Sequence, residues 1–262
     1  LARRLDLSGT LTEAPEDWRP LAGVPAAFTA AIDPSLGVSG RFRFTLSGVS
    51  AEPGYALNAG EGNELDLQFS TDQPIAFEPP VQTADGWTME TSDALTSADV
   101  SVIARDYGAW GRLSAQIFVD GEWYDCLPPS RETWVSVPLD ANGNHIADKW
   151  ERDHGLSYDS ASEDLDASPA GAGPGDGFSN YEEYRGFLIE GQWRSTDPAW
   201  KELFVHDETA EGVGFFPASG VVALLIDARE FDDERVVNFN RHFGSAGAQK
   251  ALRLVDARMK AG

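Results

Sequence analysis

GRLSAQIFVDGEWYDCL, residues 111–127, is the stretch that decides the predicted fold class. Apolar and polar residues alternate on both sides of Asp120-Gly121, and this period of two is typical of half-buried β-strands. Asp-Gly also favours the tight turn of a β-hairpin, because that turn needs backbone angles that glycine adopts readily. The stretch therefore predicts two antiparallel strands joined at Asp120-Gly121.

Strand-like alternation also occurs on both sides of this hairpin, in segments separated by turn-forming residues. The segments are FRFTLSGVS (42–50), ELDLQFST (64–71), ADVSVIARDYG (98–108) and TWVSVPLD (133–140). No long helical pattern interrupts them. Residues 1–137 are therefore predicted to form a β-sandwich domain.

Residues 138–190 differ in composition, because Asp, Asn and Gly become more frequent there. ADKWERDHGL (147–156) and SNYEEYRGFL (179–188) are predicted to be short helices. Gly155 and Gly186 stand where glycine favours a C-terminal helix cap. A Gly- and Pro-rich loop is predicted between the two helices.

Residues 191–262 are predicted to form a small α/β domain. ELFVHD (202–207) and GVVALLIDA (220–228) are the strand candidates, and the second is nearly all apolar, which favours a central strand. AGAQKALRLVDARMK (246–260) is a candidate terminal helix. The whole chain is therefore predicted to be a mainly β, multidomain protein.

The chain is strongly acidic, with 43 Asp and Glu against 20 Lys and Arg and a formal net charge of −23. Such a charge repels nucleic acid phosphates and anionic membranes. Bound divalent cations would relieve the self-repulsion, and simple solvation is the alternative. No apolar run approaches the roughly 20 residues of a membrane span. Cys126 is the only cysteine, so no intramolecular disulfide is possible.

The segment PLDANGNHIADKWE (138–151) has the spacing of a twelve-residue calcium loop. Such a loop supplies side-chain oxygens at positions 1, 3, 5, 9 and 12 and a backbone carbonyl at position 7. His145 stands at position 6, where glycine is usual. The alternative interpretation is an Asn-Gly turn before a helix with an Asp cap at residue 140 or 148. The predicted ligands are Asp140, Asn142, Asn144, Ile146 through its carbonyl, Asp148 and Glu151.

A second segment, GDGFSNYEEY (175–184), continues this pattern at positions 5 to 12. Its positions 1 and 3 would be an alanine and a proline, which cannot ligate through their side chains. Asp164 and Asp166 have the required spacing, displaced by eight residues, and we predict that they take these positions while the Gly-rich insertion loops out. The alternative is that both are solvated surface charges. The predicted ligands are Asp164, Asp166, Asp176, Phe178 through its carbonyl, Asn180 and Glu183.

DANGNHIADKWERDHGL, with GDGFSNYEEYRGF and STDP after it, resembles the Asp/Asn-Gly-Asn repeats of secreted bacterial proteins. Those repeats are similar to thrombospondin type 3 repeats and dockerin-like EF-hand loops. His145 and the inserted second loop depart from the pattern. The resemblance implies structural calcium, bound outside the cell, in a region that links a β-sandwich to another domain. RSTDPAWKELFVHD resembles, more faintly, segments that precede the catalytic region of secreted bacterial metalloproteases.

The predicted organisation has three parts. They are a β-sandwich domain (1–137), an EF-hand-like calcium-binding loop region (138–190) and a small α/β domain (191–262).

The sequence contains no catalytic constellation. The four histidines do not form the H-E-x-x-H motif of zinc proteases, and no G-x-S-x-G motif is present. GAGPGDG (171–177) imitates a phosphate-binding loop, but it lacks the lysine and contains an aspartate. We therefore predict that this chain is not an enzyme. Whether a catalytic domain follows Gly262 stays open. Trp87, Trp110, Trp123 and Tyr124 are interpreted as core residues or, alternatively, as a sugar-stacking platform.

The expected function is an extracellular, calcium-stabilised structural or interaction module that acts in cell-surface, matrix or filament assembly. The three carboxylates of the first loop imply a calcium affinity of about 10⁻⁵–10⁻³ M, which suits a secreted protein. The expected partners are calcium ions (Ca2+), further copies of the chain, or a cell-surface protein or glycan, with no nucleic acid and no membrane span. Two alternatives stay open: the noncatalytic N-terminal part of a secreted hydrolase such as a metalloprotease, and a carbohydrate-binding module.

Overall fold

The mainly β class predicted from the sequence is confirmed by the structure, which is a computed structural model. It describes residues 9–21, 23–156, 160–164, 166, 175–209, 220–245 and 247–255. Most of the strands lie before residue 138, in one large sheet. Two short helices and two small sheets follow along the chain.

The large sheet has ten strands in the order β4-β7-β2-β1-β9-β8-β3-β6-β5, and β10 pairs with β8. The β1–β9 pair is parallel, and the sheet curls so that β4 approaches β6. Its inner face encloses one hydrophobic core. The strands are β1 (Gly9–Leu11), β2 (Ala26–Ala31), β3 (Arg41–Ser47), β4 (Leu67–Phe69), β5 (Val81–Gln82), β6 (Trp87–Glu90), β7 (Ser97–Ala104), β8 (Gly111–Val119), β9 (Glu122–Leu127) and β10 (Val135–Val137).

The predicted hairpin is confirmed and lies near the middle of this sheet. β8 pairs with β9 so that Val119 faces Glu122, and Asp120 and Gly121 have φ values of 51° and 89°. Two positive φ values at the central positions are those of a type I′ turn, whose twist matches that of the flanking strands. β8 also pairs with β3 and β10, and every second residue of β8 is buried. The alternation in the sequence therefore marks the core face of the sheet.

Two helices, α1 (Asp148–His154) and α2 (Asn180–Arg185), form where short helices were predicted. α1 ends at Gly155 in the left-handed conformation, and α2 begins with a capping box of Ser179 and Glu182. The two helices share a cluster of buried aromatic side chains. Neither these helices nor any other in the described residues has the length and apolar character to cross a membrane.

The C-terminal part contains a hairpin and a small parallel sheet. The hairpin consists of β11 (Phe187–Ile189) and β12 (Gln192–Arg194). The parallel sheet has the order β14 (Val222–Leu225), β13 (Glu202–Asp207), β15 (Leu252–Leu254). The two strands predicted in this part are therefore present.

Two finer predictions for this part are wrong. The apolar segment 220–228 forms the edge strand β14, which is only partly covered. β13 is central because it pairs with β14 on one side and β15 on the other, and its Phe204 and Val205 are buried. Within the predicted helix 246–260, the described residues 247–255 contain strand β15, at 252–254, which pairs with β13, and residues 246 and 256–260 lie outside the described residues. The described residues after 190 contain no helix, so they show the strands of the predicted α/β domain without its helical part.

A second hydrophobic cluster draws on all three predicted parts of the chain. Leu57, from the loop before β4, packs with Phe178 and Phe187, which flank α2, and with Phe204 of β13. The backbone N–H of Leu57 also donates to the carbonyl oxygen of Gly186 at 3.1 Å. The domain boundaries stay a prediction, but the parts that they separate share a core.

A buried ion pair fixes the same junction. The Arg185 guanidinium donates to the carboxylate of Asp106 through Nε and Nη2, with a shortest distance of 2.6 Å. Nη1 donates to the Asn240 carbonyl at 2.8 Å, and Nη2 donates to the Pro53 carbonyl at 2.5 Å. Both charged side chains are fully buried. One guanidinium therefore binds the loops of the large sheet, α2 and the C-terminal part together.

Replacing Arg185 with methionine should destabilise the protein by about 3–5 kcal/mol, because Asp106 would be left buried without its partner charge. The control is Arg152→Met, which removes a solvent-exposed ion pair with Glu16 and should cost less than about 1 kcal/mol. Urea denaturation of both variants and the unaltered protein gives the free energies of unfolding. Equal losses for the two variants would contradict a special role for Arg185.

Asp66 should make stability depend on pH in a defined window. Burial, followed by the nearby charge of Asp106, raises its pKa to about 7 from 3.8. Since the folded-state pKa is the higher one, its contribution is most favourable at low pH and is lost as the pH rises from about 4 to about 7. Asp66→Asn should therefore gain stability relative to the unaltered protein over this window. Asp17→Asn, at the surface, controls for net charge, and a difference that stays constant with pH would contradict the prediction.

Candidate metal centre

The first predicted calcium loop is wrapped around the carboxylate of Asp140. Oδ1 of Asp140 accepts from the backbone N–H of Gly143 at 2.7 Å and of Asn144 at 3.2 Å, and Oδ2 accepts from that of His145 at 2.8 Å. His145 adopts a φ of 70° and stacks on Trp110 with ring centroids 3.7 Å apart. Histidine therefore takes the left-handed position at which glycine is usual.

Glu151 closes this loop from α1. Nδ2 of Asn142 donates to both carboxylate oxygens of Glu151 at 3.1 Å, and Nδ2 of Asn144 donates to Oε1 at 2.7 Å. Asp148 accepts from the backbone N–H of Ala141 at 2.9 Å, and no side chain caps α1. The structure therefore does not show the alternative of an Asp-capped helix. Burial raises the pKa of Glu151 above its ordinary value.

Ile146 and Phe178, the residues predicted to ligate through their carbonyls, both direct their side chains into hydrophobic clusters. Ile146 lies in the aromatic cluster beside Trp150, and Phe178 packs edge-on against Phe187. Asn180, predicted for position 9 of the second loop, donates from Nδ2 to the Ser160 carbonyl at 3.2 Å. The position-7 side chains thus anchor both loops in the core.

The second loop brings three predicted ligands together. Asp164, Asp166 and Asp176 have carboxylate oxygens that all lie within 4.8 Å of one another. Asp164 accepts from the backbone N–H of Gly177 at 2.9 Å, and Asp166 accepts from that of Asp176 at 2.8 Å. A Cβ on Gly175 would lie 1.3 Å from Oδ1 of Asp164, so this close approach requires glycine. Residues 167–174, which include most of the predicted Gly-rich insertion, lie outside the described residues.

Two glutamates face the same group of carboxylates. Glu183 of α2 is 1% exposed, and its Oε1 has no hydrogen-bond partner among the described residues. Glu202, at the start of β13, is 8% exposed, and its Oε2 likewise has none. Oδ1 of Asp164 is also buried without such a partner. Three buried carboxylate oxygens therefore lack the donors that buried acceptors normally have.

Glu202 is the residue of this group that sequence reasoning missed. Its backbone N–H donates to Oδ2 of Asp176 at 2.7 Å, across 26 residues of sequence. The sequence does contain one indication of it. Glu202 and Phe204 are two residues apart in β13 and therefore lie on the same face of the strand, and Phe204 is buried. A carboxylate on the buried face of a strand is rare unless it has a partner, so its position marks it as a candidate for a site.

The electrostatics of the second loop favour protonation or a bound cation. Burial, followed by the charges of Asp176 and Asp164, raises the pKa of Asp166 to about 7. Burial and the charge of Asp176 raise the pKa of Glu202 to about 9, and burial also raises that of Glu183 well above its ordinary value. Carboxylates that share a dry site cannot all stay ionised unless positive charge joins them.

The four aromatic residues considered as a sugar platform lie at separate places. Trp87 and Tyr124 pack against the core of the large sheet. Trp123 lies beneath an arginine guanidinium, and Trp110 stacks on His145 of the first loop. The described structure therefore does not align the four on one face.

Comparisons with known proteins give no family. No protein family and no curated protein matches the chain. Among solved structures, the human F-spondin reeler domain (fragment 1) is similar at 15% identity and a TM-score of 0.33, covering 49% of this chain and 88% of that one. A DUF4466 family protein from Parabacteroides merdae ATCC 43184 has 14% identity and a TM-score of 0.27, covering 46% of this chain and 44% of that one. TM-scores this low support no inference about function.

Adding calcium at pH 7 should release protons, on the order of one per molecule, because the second loop holds protons on carboxyls of raised pKa when no cation is present. Isothermal titration calorimetry in two buffers of different ionisation enthalpy measures this release. Asp176→Asn combined with Glu183→Gln should abolish it. Identical heats in the two buffers for the unaltered protein would contradict the prediction.

Proposed function

We propose that this chain is a calcium-stabilised structural or interaction module of the extracellular space or cell surface. The observation that carries the proposal is the group of Asp164, Asp166 and Asp176, whose carboxylates converge beside Glu183, a buried residue with an unpartnered oxygen. The charge of Lys201 lowers the pKa of Asp164 and Asp166 less than burial raises it, and a bound cation would add the further positive charge that the group needs. Structural calcium is the cation that this set of donors favours.

The donor chemistry supports calcium over transition metals. Calcium takes six to eight oxygen ligands, mostly from carboxylates, carbonyls and water. The group contains neither the histidine nor the thiolate ligands that favour zinc or copper. The net charge of −23 adds a long-range attraction for any cation.

The first loop supports the same proposal in a different way. The side-chain amides of Asn142 and Asn144 donate hydrogen bonds to Glu151, so residues of the loop itself supply the hydrogen bonds that this carboxylate accepts. A half-turn of an Asn side-chain amide exchanges its nitrogen and oxygen with little change in shape. With a cation present, the amide oxygens would face Glu151 across the ion. We therefore expect two ions, one in each loop.

The predicted role of these ions is to make the junction between the sheets rigid. Each loop leads into a helix, and the two helices pack through Trp150 and Tyr184, whose ring centroids lie 5.5 Å apart. Fixing both loops would therefore fix the helix pair and the elements that pack on it. A rigid, calcium-filled junction suits a protein that works where calcium is near millimolar, in assembly with further copies or with surface partners.

Thermal melting with calcium and with a chelator tests this proposal. At calcium one hundred times the dissociation constant, one site adds about 2.7 kcal/mol. For a chain of this length that raises the Tm by roughly 5–10 °C. Asp140→Ala and Asp176→Asn should each remove part of the increase, whereas Asp153→Asn, an exposed residue of α1, should remove none. An unchanged Tm in millimolar calcium would contradict the proposal.

Sedimentation of the same samples separates assembly from simple stabilisation. If calcium supports assembly, the sedimentation coefficient should rise with calcium at constant protein concentration, and Asp176→Asn should reduce that rise. A higher Tm without any change in the sedimentation coefficient would mean that calcium stabilises the single chain and does not support assembly.

A further inference from the structure

Glu202 stands apart from the loop that supplies the other carboxylates. It opens β13, the central strand of the parallel sheet, whereas the loop ligands precede or lie on α2. Neither loop pattern includes a residue at this point of the chain. Its side chain is nevertheless buried beside Asp176.

The contacts of Glu202 leave one oxygen for a ligand. Oε1 accepts from the backbone N–H of Asp197 at 3.2 Å, which fixes the orientation of the carboxylate. Oε2 is buried and has no hydrogen-bond partner among the described residues. Asp176 lies beside Glu202, because the Glu202 backbone N–H donates to Oδ2 of Asp176 at 2.7 Å. Oε2 of Glu202 is thus a buried acceptor beside carboxylates of the second loop.

We infer that Glu202 is a further ligand of the cation held by Asp164, Asp166, Asp176 and Glu183, and that this cation fastens the parallel sheet to α2. The inference rests on the proposed function, because it assigns an additional ligand to the same site. With Glu202 as a ligand, the calcium site would no longer belong to one loop. It would cross-link α2 and β13, which are distant in sequence. The chemical class of the ligand is a hard divalent cation with calcium-like coordination.

The sheet that Glu202 opens is one that would benefit from such a cross-link. Its three parallel strands have six, four and three residues, and Val222 and Leu252 on its edge strands are more than a third exposed. Parallel sheets are normally covered on both faces, and among the described residues the edge strands of this one are only partly covered. A ligand at the first residue of the central strand would hold that strand in place.

Calcium titration of Glu202→Gln in the full chain tests the inference. Gln keeps the size of the side chain and the acceptor for Asp197, so the variant should fold in the chelator with a Tm close to that of the unaltered protein. We expect at least a tenfold loss of affinity at one of two calcium-binding events and no change at the other. Glu208→Gln, just beyond the far end of β13 and paired with Arg253, is the matched control and should bind as the unaltered protein does.

Hydrogen exchange on the same proteins gives an independent readout. Calcium should slow the exchange of β13 amides in the unaltered protein and in Glu208→Gln, but not in Glu202→Gln. If Glu202→Gln does not fold, Glu202→Asp, which shortens the reach of the carboxylate, should show the same loss in weaker form. Unaltered affinity and β13 protection in the Glu202 variants would overturn the inference while leaving the proposed function in place. No calcium binding by the unaltered protein would overturn both.

Discussion

Buried carboxylates need positive charge, and two groups of them in this chain differ in how much of it the protein supplies. At the junction of the sheets, Asp106 is neutralised by the guanidinium of Arg185, and both side chains are fully buried. In the second loop, Asp164, Asp166 and Asp176 converge without a guanidinium. A lysine lowers the pKa of two of them, but burial has the larger effect. The first group therefore carries its own cation, and we propose that the second takes one from solution.

This difference explains how the three predicted parts of the chain are held together. Apolar contact between them comes from the cluster of eight buried residues that includes Leu57 and Phe204, and from the aromatic cluster of α1 and α2, against which Trp110 and Phe243 pack. Polar contacts add to these: the Arg185 ion pair on one side of α2 and, among the carboxylates around Glu183, the hydrogen bond from the Glu202 N–H to Asp176. Because both sets of contacts use α2, a short helix of six residues becomes the element on which the others converge. A cation beside Glu183 would then act on the whole junction.

The sequence predicted local features better than long-range ones. The hairpin at Asp120-Gly121 follows from alternation and turn chemistry, which involve neighbouring residues. Asp164 and Asp166 were placed beside Asp176 because the first loop provided a template for their spacing, and the structure brings these three together. Glu202 had no such template, since its partner lies 26 residues away and meets it through strand packing. The central position of β13 was also missed, because strand order in a parallel sheet depends on contacts that hydropathy along one segment does not contain.

Anomalous diffraction from crystals grown with calcium, or with terbium in its place, tests whether a cation binds among the carboxylates of the second loop. We predict a strong anomalous peak within about 2.3–2.6 Å of carboxylate oxygens of Asp164, Asp166 and Asp176. Crystals grown with a chelator should lack that peak. An ordered second loop with no peak in the presence of millimolar calcium, its carboxylates bridged by protons or water, would contradict the account.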